Sequence, residues 1–146
     1  MTTPETIQPT GSDRTMNAAK DRDRSDPPPA LSIIMPCHNR SYDLGRVLAA
    51  YDRQQGSVAF ELIAVDDASR DTTYELLRRY KPRRYRLRAE RFEVNRGPAA
   101  ARNRGIELAQ APLIAFVGDD ILPGESFVRG HVEAHRQRPE RGIAVL

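Results

Sequence analysis

From Leu31 onward, short apolar runs alternate with stretches in which apolar residues recur every three to four positions, and few architectures accept that alternation. LSIIM, residues 31–35, is an apolar run stopped by Pro36, which predicts a buried first strand. In DLGRVLAAY the residues Leu44, Val47, Leu48 and Tyr51 form the stripe of an amphipathic helix. FELIAV is a second strand, ending on Asp66 and Asp67. TTYELLRRYK carries Thr73, Leu76, Leu77 and Tyr80 at helical spacing, Thr72 and Glu75 predict a capping box, and Pro82 stops the helix. YRLRAE alternates as a strand does, with Tyr85, Leu87 and Ala89 on one side. GPAAARNRGIELAQ reads as a helix with Pro98 in its first turn, where a missing N–H costs least. APLIAFV is a further buried strand and ESFVRGHVEAHRQR a further helix. Such strand and helix alternation predicts an α/β domain built from βαβ units around a mainly parallel sheet.

The two ends read differently. Residues 1–30 are polar, rich in Pro, Asp, Arg and Thr, and without apolar period; they cannot bury enough surface to offset ordering entropy, which predicts a disordered leader. The domain is expected over residues 31–146. Its last run, GIAVL (residues 142–146), begins a strand that nothing follows, so the sequence is expected to be a fragment of a longer natural product.

Composition narrows the class. With 146 residues and 39% hydrophobic content, one globular domain is the expectation. The net charge of +3 has a local source, since RRYKPRRYRLRAER (residues 78–91) holds eight Lys or Arg against Glu90 alone. That run suits phosphates or an anionic membrane surface; a solvated helix end and exposed strand face is the favoured reading. Cys37 is the only cysteine, which excludes a disulfide framework and a soft-metal cluster and fits a reducing, cytoplasmic compartment. No apolar signal core and no window near the roughly 20 apolar residues of a membrane span is present.

In a parallel sheet all carboxyl ends lie on one edge, and ligands bind in the crevice along it. PCHNR, DDAS and GDD leave that edge, so Asp66, Asp67, Asp119 and Asp120 should converge. Clustered carboxylates repel unless a cation compensates them. A hard divalent metal shared with substrate phosphates is the simplest expectation. Aspartates after a strand are also ordinary caps and turn residues, and only the repetition of the pair at corresponding strand ends points to a site. The turn glycine of NRGPAAARN suits either an anion site or a plain connection. His131 and His135, four apart, have zinc spacing but neither an intervening glutamate nor a third ligand, so half-buried helix histidines are expected. His38 suits contact with a base or ordering of its loop. Cys37 reads as a packed side chain rather than a nucleophile. Neither G-x-x-x-x-G-K-[ST] nor G-x-G-x-x-G occurs, which counts against P-loop and dinucleotide enzymes.

Taken in series, LSIIMPCHNR, ELIAVDDASRD, NRGPAAARNRGIELAQA and LIAFVGDDILP resemble the nucleotide-binding half of family 2 glycosyltransferases, over essentially all of residues 31–146. The resemblance implies the GT-A fold, a Rossmann-like parallel sheet flanked by helices. It implies transfer of a sugar from a nucleoside diphosphate sugar, usually with inversion and with Mg²⁺ or Mn²⁺. Carried onto this sequence, Pro36, His38, Asn39 and Arg40 would line the nucleoside pocket. Asp67 would hydrogen-bond the base with Asp66 beside it, and Gly97 and Arg102 would lie near nucleotide or sugar. Asp119 and Asp120 would take the D-x-D position, Asp120 as the direct metal ligand. Two departures stand out: His38 replaces a common aromatic, and Gly118 stands where D-x-D often begins. The family's general base would fall beyond residue 146. The acceptor is open between a glycan, a lipid-linked and a small-molecule acceptor. Nucleic acid is not an expected partner, and peripheral contact with the inner face of a membrane stays open through residues 78–91. The rival readings are a nucleotidyltransferase, which would want a glycine-rich first loop, and a non-catalytic donor-binding or interaction fragment; binding of nucleic acid or membrane by its basic run would fall steeply with salt and be indifferent to Asp120→Ala, and donor binding would do the opposite.

Overall fold

The computed structural model describes residues 27–138. Eight elements alternate along it: β1 (Leu31–Cys37), α1 (Leu44–Asp52), β2 (Phe60–Asp66), α2 (Thr73–Arg79), β3 (Arg86–Arg91), α3 (Gly97–Leu108), β4 (Leu113–Phe116) and α4 (Phe127–Gln137). The strands form one parallel sheet in the order β3-β2-β1-β4. The expected α/β, Rossmann-like architecture is thus present. The expected leader falls largely outside the described residues, as does GIAVL. Within the leader's last part, Ala30 already donates its N–H to Ala59 O at 2.8 Å and packs on the core.

Pro36 does not stop β1. The strand runs on to Cys37, with Pro36 paired to Val65 and Cys37 to Asp66. The reason lies in the alternation of backbone direction. Ile34 O accepts from Val117 N and Cys37 O from Asp67 N, so the position of Pro36 faces β4. β4 ends at Phe116, opposite Ile34, and no ladder partner is lost.

The sheet carries helices on both faces, so β1 and β2 are apolar at nearly every position. One face, with Ile33, Met35, Leu62 and Ala64, packs against Leu44, Leu48 and Tyr51 of α1, Leu77 of α2, and Val128 and Val132 of α4. Tyr51 lies among Phe60, Tyr85 and Phe127 at ring separations of 6.2–6.4 Å. The other face meets α3 through Ile63, Val65 and Ala101. There Gly105 sits so close that a Cβ would stand 2.3 Å from Ile34 Cγ2. The carboxylate of Glu61, buried on this face, accepts from Ser32 Oγ at 2.5 Å and from Gln110 N at 2.7 Å, fastening the α3–β4 turn.

Two local expectations are corrected. β4 is not buried on both faces: Leu113 and Ala115 join the core, but Ile114 and Phe116 are 38% and 52% exposed, because α3 covers β1 and β2 and no further strand borders β4 among the described residues. The Thr72–Glu75 capping box does not form. Asp71 Oδ1 instead accepts from Thr73 N at 3.0 Å and from Thr73 Oγ1 at 2.5 Å. The basic run is partly consumed by structure. The Arg84 guanidinium donates to the carbonyls of Gln54 and Gly56, and those of Arg78 and Arg91 lie 6.0 and 5.1 Å from the Tyr74 ring. His131 packs edge-on against Phe127, at 4.5 Å, as a helix histidine.

Candidate functional site: a cleft at the β1–β4 switch point

Chain order reverses between β1 and β4, the place where an open parallel sheet leaves a crevice at its carboxyl edge. An open cleft of about 320 Å³ lies there. Pro36, Cys37, His38 and Arg40 form one wall and Val117, Gly118 and Asp119 another, while Asp67, Asn95, Gly97 and Arg102 close the side towards α3. A hollow of similar size at the opposite edge involves Arg83, Arg84 and Tyr85, but Arg84 there already serves main-chain carbonyls.

The acidic residues at this edge have separate partners. Asp66 is fully buried and does not line the cleft; its Oδ2 meets Arg91 Nε at 3.4 Å and Ser69 N at 3.3 Å, and its Oδ1 has no partner among the described residues. Asp67, 3% exposed, borders the cleft but turns its oxygens to the start of α3, accepting from Arg96 N at 2.7 Å and Gly97 N at 2.8 Å. Gly97 makes this possible with φ of +84°, a conformation costly for residues with a Cβ. Asp119 and Asp120 share Arg40, whose Nε lies 3.2 Å from Asp119 Oδ1 and whose Nη2 lies 3.8 Å from Asp120 Oδ2. The expected single cluster of four carboxylates is therefore not formed. Arginines and backbone N–H groups compensate the charges locally, and no group of three or more potential ligands occurs among the described residues.

The β1–α1 loop is fixed by the β2–α2 loop. Asn39, at φ of +54°, donates its N–H to Ser69 Oγ at 2.8 Å and accepts from Arg70 N at 2.8 Å, so it braces the loop and does not line the cleft. His38 Nδ1 lies 2.7 Å from Asp67 O, which requires the proton on Nδ1 and leaves Nε2 to accept from Asn39 Nδ2 at 2.9 Å. Asn95 completes this corner, 3.3 Å from Asp67 O through Nδ2. Asn95 is not among the residues expected from the sequence, where its only signal is its place directly before the Arg96–Gly97 turn. Burial pushes the Cys37 thiol well up, with Asp119 and Asp66 adding to it, so it stays protonated and donates to Met35 O.

Whether these residues suit a divalent metal can be tested at Gly118. A Cβ there would stand 2.6 Å from Asp120 Oδ1, so the Asp120 carboxylate lies folded back over the bare Gly118 backbone. Burial raises the Asp119 carboxyl, opposed by the His38 N–H and Arg40 and reinforced by Asp120. Two hard carboxylates, one largely buried and one 55% exposed at the mouth of a cleft, fit Mg²⁺ or Mn²⁺ held jointly with diphosphate oxygens and water. They do not amount to a complete protein cage.

The fold is that of the GT-A glycosyltransferases. S. aureus TarS (residues 1–349, solved in complex with UDP-GlcNAc) superposes with a TM-score of 0.68 at 22% identity, over 80% of this chain and 36% of that one. The mannosyltransferase PcManGT from Pyrobaculum calidifontis, solved with GDP-Man and Mn²⁺, gives 0.66 at 20% identity, over 88% and 40%. The chain belongs to Glycosyl transferase family 2, whose sequence pattern it matches over residues 32–145. Among curated relatives, validoxylamine A glucosyltransferase of Streptomyces hygroscopicus subsp. jinggangensis (strain 5008) is 36% identical over 108 residues, 73% of this chain. The aligned part is 26% of that protein, so the chain spans about a quarter of this relative.

Proposed function

We propose that residues 31–146 form the donor-binding part of a glycosyltransferase that takes a sugar from a nucleoside diphosphate sugar to a glycan, lipid-linked or small-molecule acceptor, with inversion. The observation that carries this reading is that Arg40 and Asp119 line the cleft at the β1–β4 switch point, with Asp120 paired to the same Arg40. The nucleotide sugars bound by the two structural neighbours support it.

On this reading the nucleoside enters between Pro36, His38 and the Asp67–Asn95 corner. His38 and Asn95 are braced against Asp67 O and so form a preset wall. Asp67 keeps one further lone pair on each oxygen to receive a base N–H. Gly97 and Arg102 face the diphosphate and sugar from the α3 side. Asp120, with Asp119, would hold Mg²⁺ or Mn²⁺. That ion, when bound, neutralises charge gathering on the departing diphosphate as the anomeric bond breaks. No helix among the described residues is long and apolar enough to cross a membrane. A cytoplasmic place at the inner membrane face belongs to the same proposal, through the exposed Arg79, Lys81, Arg83 and Arg88.

The test is a thermal-shift series with UDP, GDP, dTDP and CDP, with and without Mn²⁺, on the parent protein and on Asp120→Ala. A ligand bound only by the folded state raises Tm by mass action. One nucleotide is expected to raise Tm in a manganese-dependent way that Asp120→Ala removes. A cooperative melt that no nucleotide shifts would refute the donor site.

A further inference from the structure

We infer that Arg40 is a resident counter-cation of the Asp119–Asp120 pair, exchanged for the divalent metal when donor binds and then available to the donor's diphosphate. The inference rests on the donor-site reading above and adds a role that the nucleoside-pocket assignment of Arg40 does not contain.

Its first support is geometric. A single guanidinium reaches both carboxylates, Asp119 through Nε at 3.2 Å and Asp120 through Nη2 at 3.8 Å. A metal held by this pair would draw on the same two carboxylates. Metal and guanidinium would therefore compete for the negative charge of one acid pair.

The second support is mechanical. The Arg40 main chain is immobilised: its N–H donates to Thr73 Oγ1 at 2.8 Å and its carbonyl accepts from Leu44 N at 3.0 Å. Its side chain is 43% exposed at the cleft. A fixed base with a solvated arm allows the guanidinium to leave the carboxylates without disturbing the loop.

The third is charge balance. Asp67, Asp119 and Asp120 against Arg40 and Arg102 leave the site with one net negative charge, which repels a diphosphate; a divalent ion on the Asp119–Asp120 pair removes that repulsion and frees Arg40. Guanidinium then suits phosphate oxygens, for which its planar donor fork is matched. Arg40 would thus disfavour metal in the absence of donor and favour donor in the presence of metal.

The experiment measures Mn²⁺ binding by loss of the free-ion EPR signal, and UDP and GDP binding by calorimetry in saturating Mn²⁺, on the parent, R40Q and R40K. Without nucleotide, R40Q is expected to bind Mn²⁺ about two- to fivefold more tightly, the scale of a half-exposed ion pair. In Mn²⁺, it is expected to bind the accepted nucleotide about tenfold more weakly, the scale of one charge-assisted phosphate contact. R40K should lie between on both measures. Opposite signs on the two affinities are what a merely structural arginine would not produce. Mn²⁺ affinity that is unchanged or weaker in R40Q, with nucleotide still bound by the parent, overturns the exchange and leaves the donor site standing. Tighter Mn²⁺ with unaltered nucleotide affinity overturns it as well. Absence of any nucleotide binding by the parent refutes the donor site, and the exchange with it.

Discussion

Asp67 Oδ2 receives the N–H of Gly97 at 2.8 Å while its Oδ1 receives that of Arg96 at 2.7 Å, so one carboxylate at the end of β2 anchors the first turn of α3. Asp67→Ala would strand both N–H groups and is expected to lower the unfolding free energy by about 1–3 kcal/mol. Asp67→Asn, which keeps one acceptor, should lose less. Urea unfolding of the three proteins checks the order.

Gly105 and Gly130 both lie inside helices but in opposite surroundings. A Cβ on Gly105 would meet Ile34 Cγ2 at 2.3 Å, whereas nothing among the described residues outside its own helix lies within 4 Å of one on Gly130. Gly105→Ala is therefore expected to destabilise by about 1–3 kcal/mol through overpacking. Gly130→Ala should stabilise by up to about 1 kcal/mol through helix propensity. Paired denaturation curves giving the same sign for both would contradict this account of α3 packing.

Asp71 contributes a pH-dependent cap. Burial alone would raise its carboxyl, but hydrogen bonds from Thr73 and Ser41 prevail and hold it well below its ordinary value of 3.8. A depressed folded value stabilises above the unfolded one and is lost as pH falls through the folded one. Asp71→Ala should accordingly cost about 1 kcal/mol at neutral pH. The gap to the parent should close progressively below pH 3.8. Urea midpoints across that range measure it.

Asp119 has the opposite sign. Its carboxyl is raised, chiefly by burial, so the folded protein binds more protons than the unfolded chain just above 3.8, and stability falls as pH rises through that window. Asp119→Asn removes the cost and is expected to melt at or above the parent Tm at pH 7, while losing the manganese-dependent nucleotide shift. A variant that is both less stable at pH 7 and still shifted by nucleotide would contradict the role given to Asp119.

Much of the fold was legible because its signals are local. The stripe Leu44, Val47, Leu48 and Tyr51 is a property of helical spacing, and the apolar runs at 31–35 and 60–65 are those of strands covered on both sides. Pro36 misled because its cost depends on which neighbour its position faces, and β4 had already ended there. Thr72 misled because Asp71, one residue earlier, offers a charged acceptor to the same helix start. The half-exposed β4 could not be read from LIAF, since the same run serves a central strand and an edge strand equally.

The sequence by itself determined the order of strands and helices and the placing of acid pairs at two strand ends, for these depend on neighbours a few residues apart. Tertiary structure alone decided what each acid does. The sheet order brings Arg40 to Asp119 and Asp120, Arg91 to Asp66, and the backbone of residues 96 and 97 to Asp67. A carboxylate's role follows from the charge and hydrogen bonds around it, and here those come from segments some 25 to 80 residues away, which only the packed sheet sets side by side.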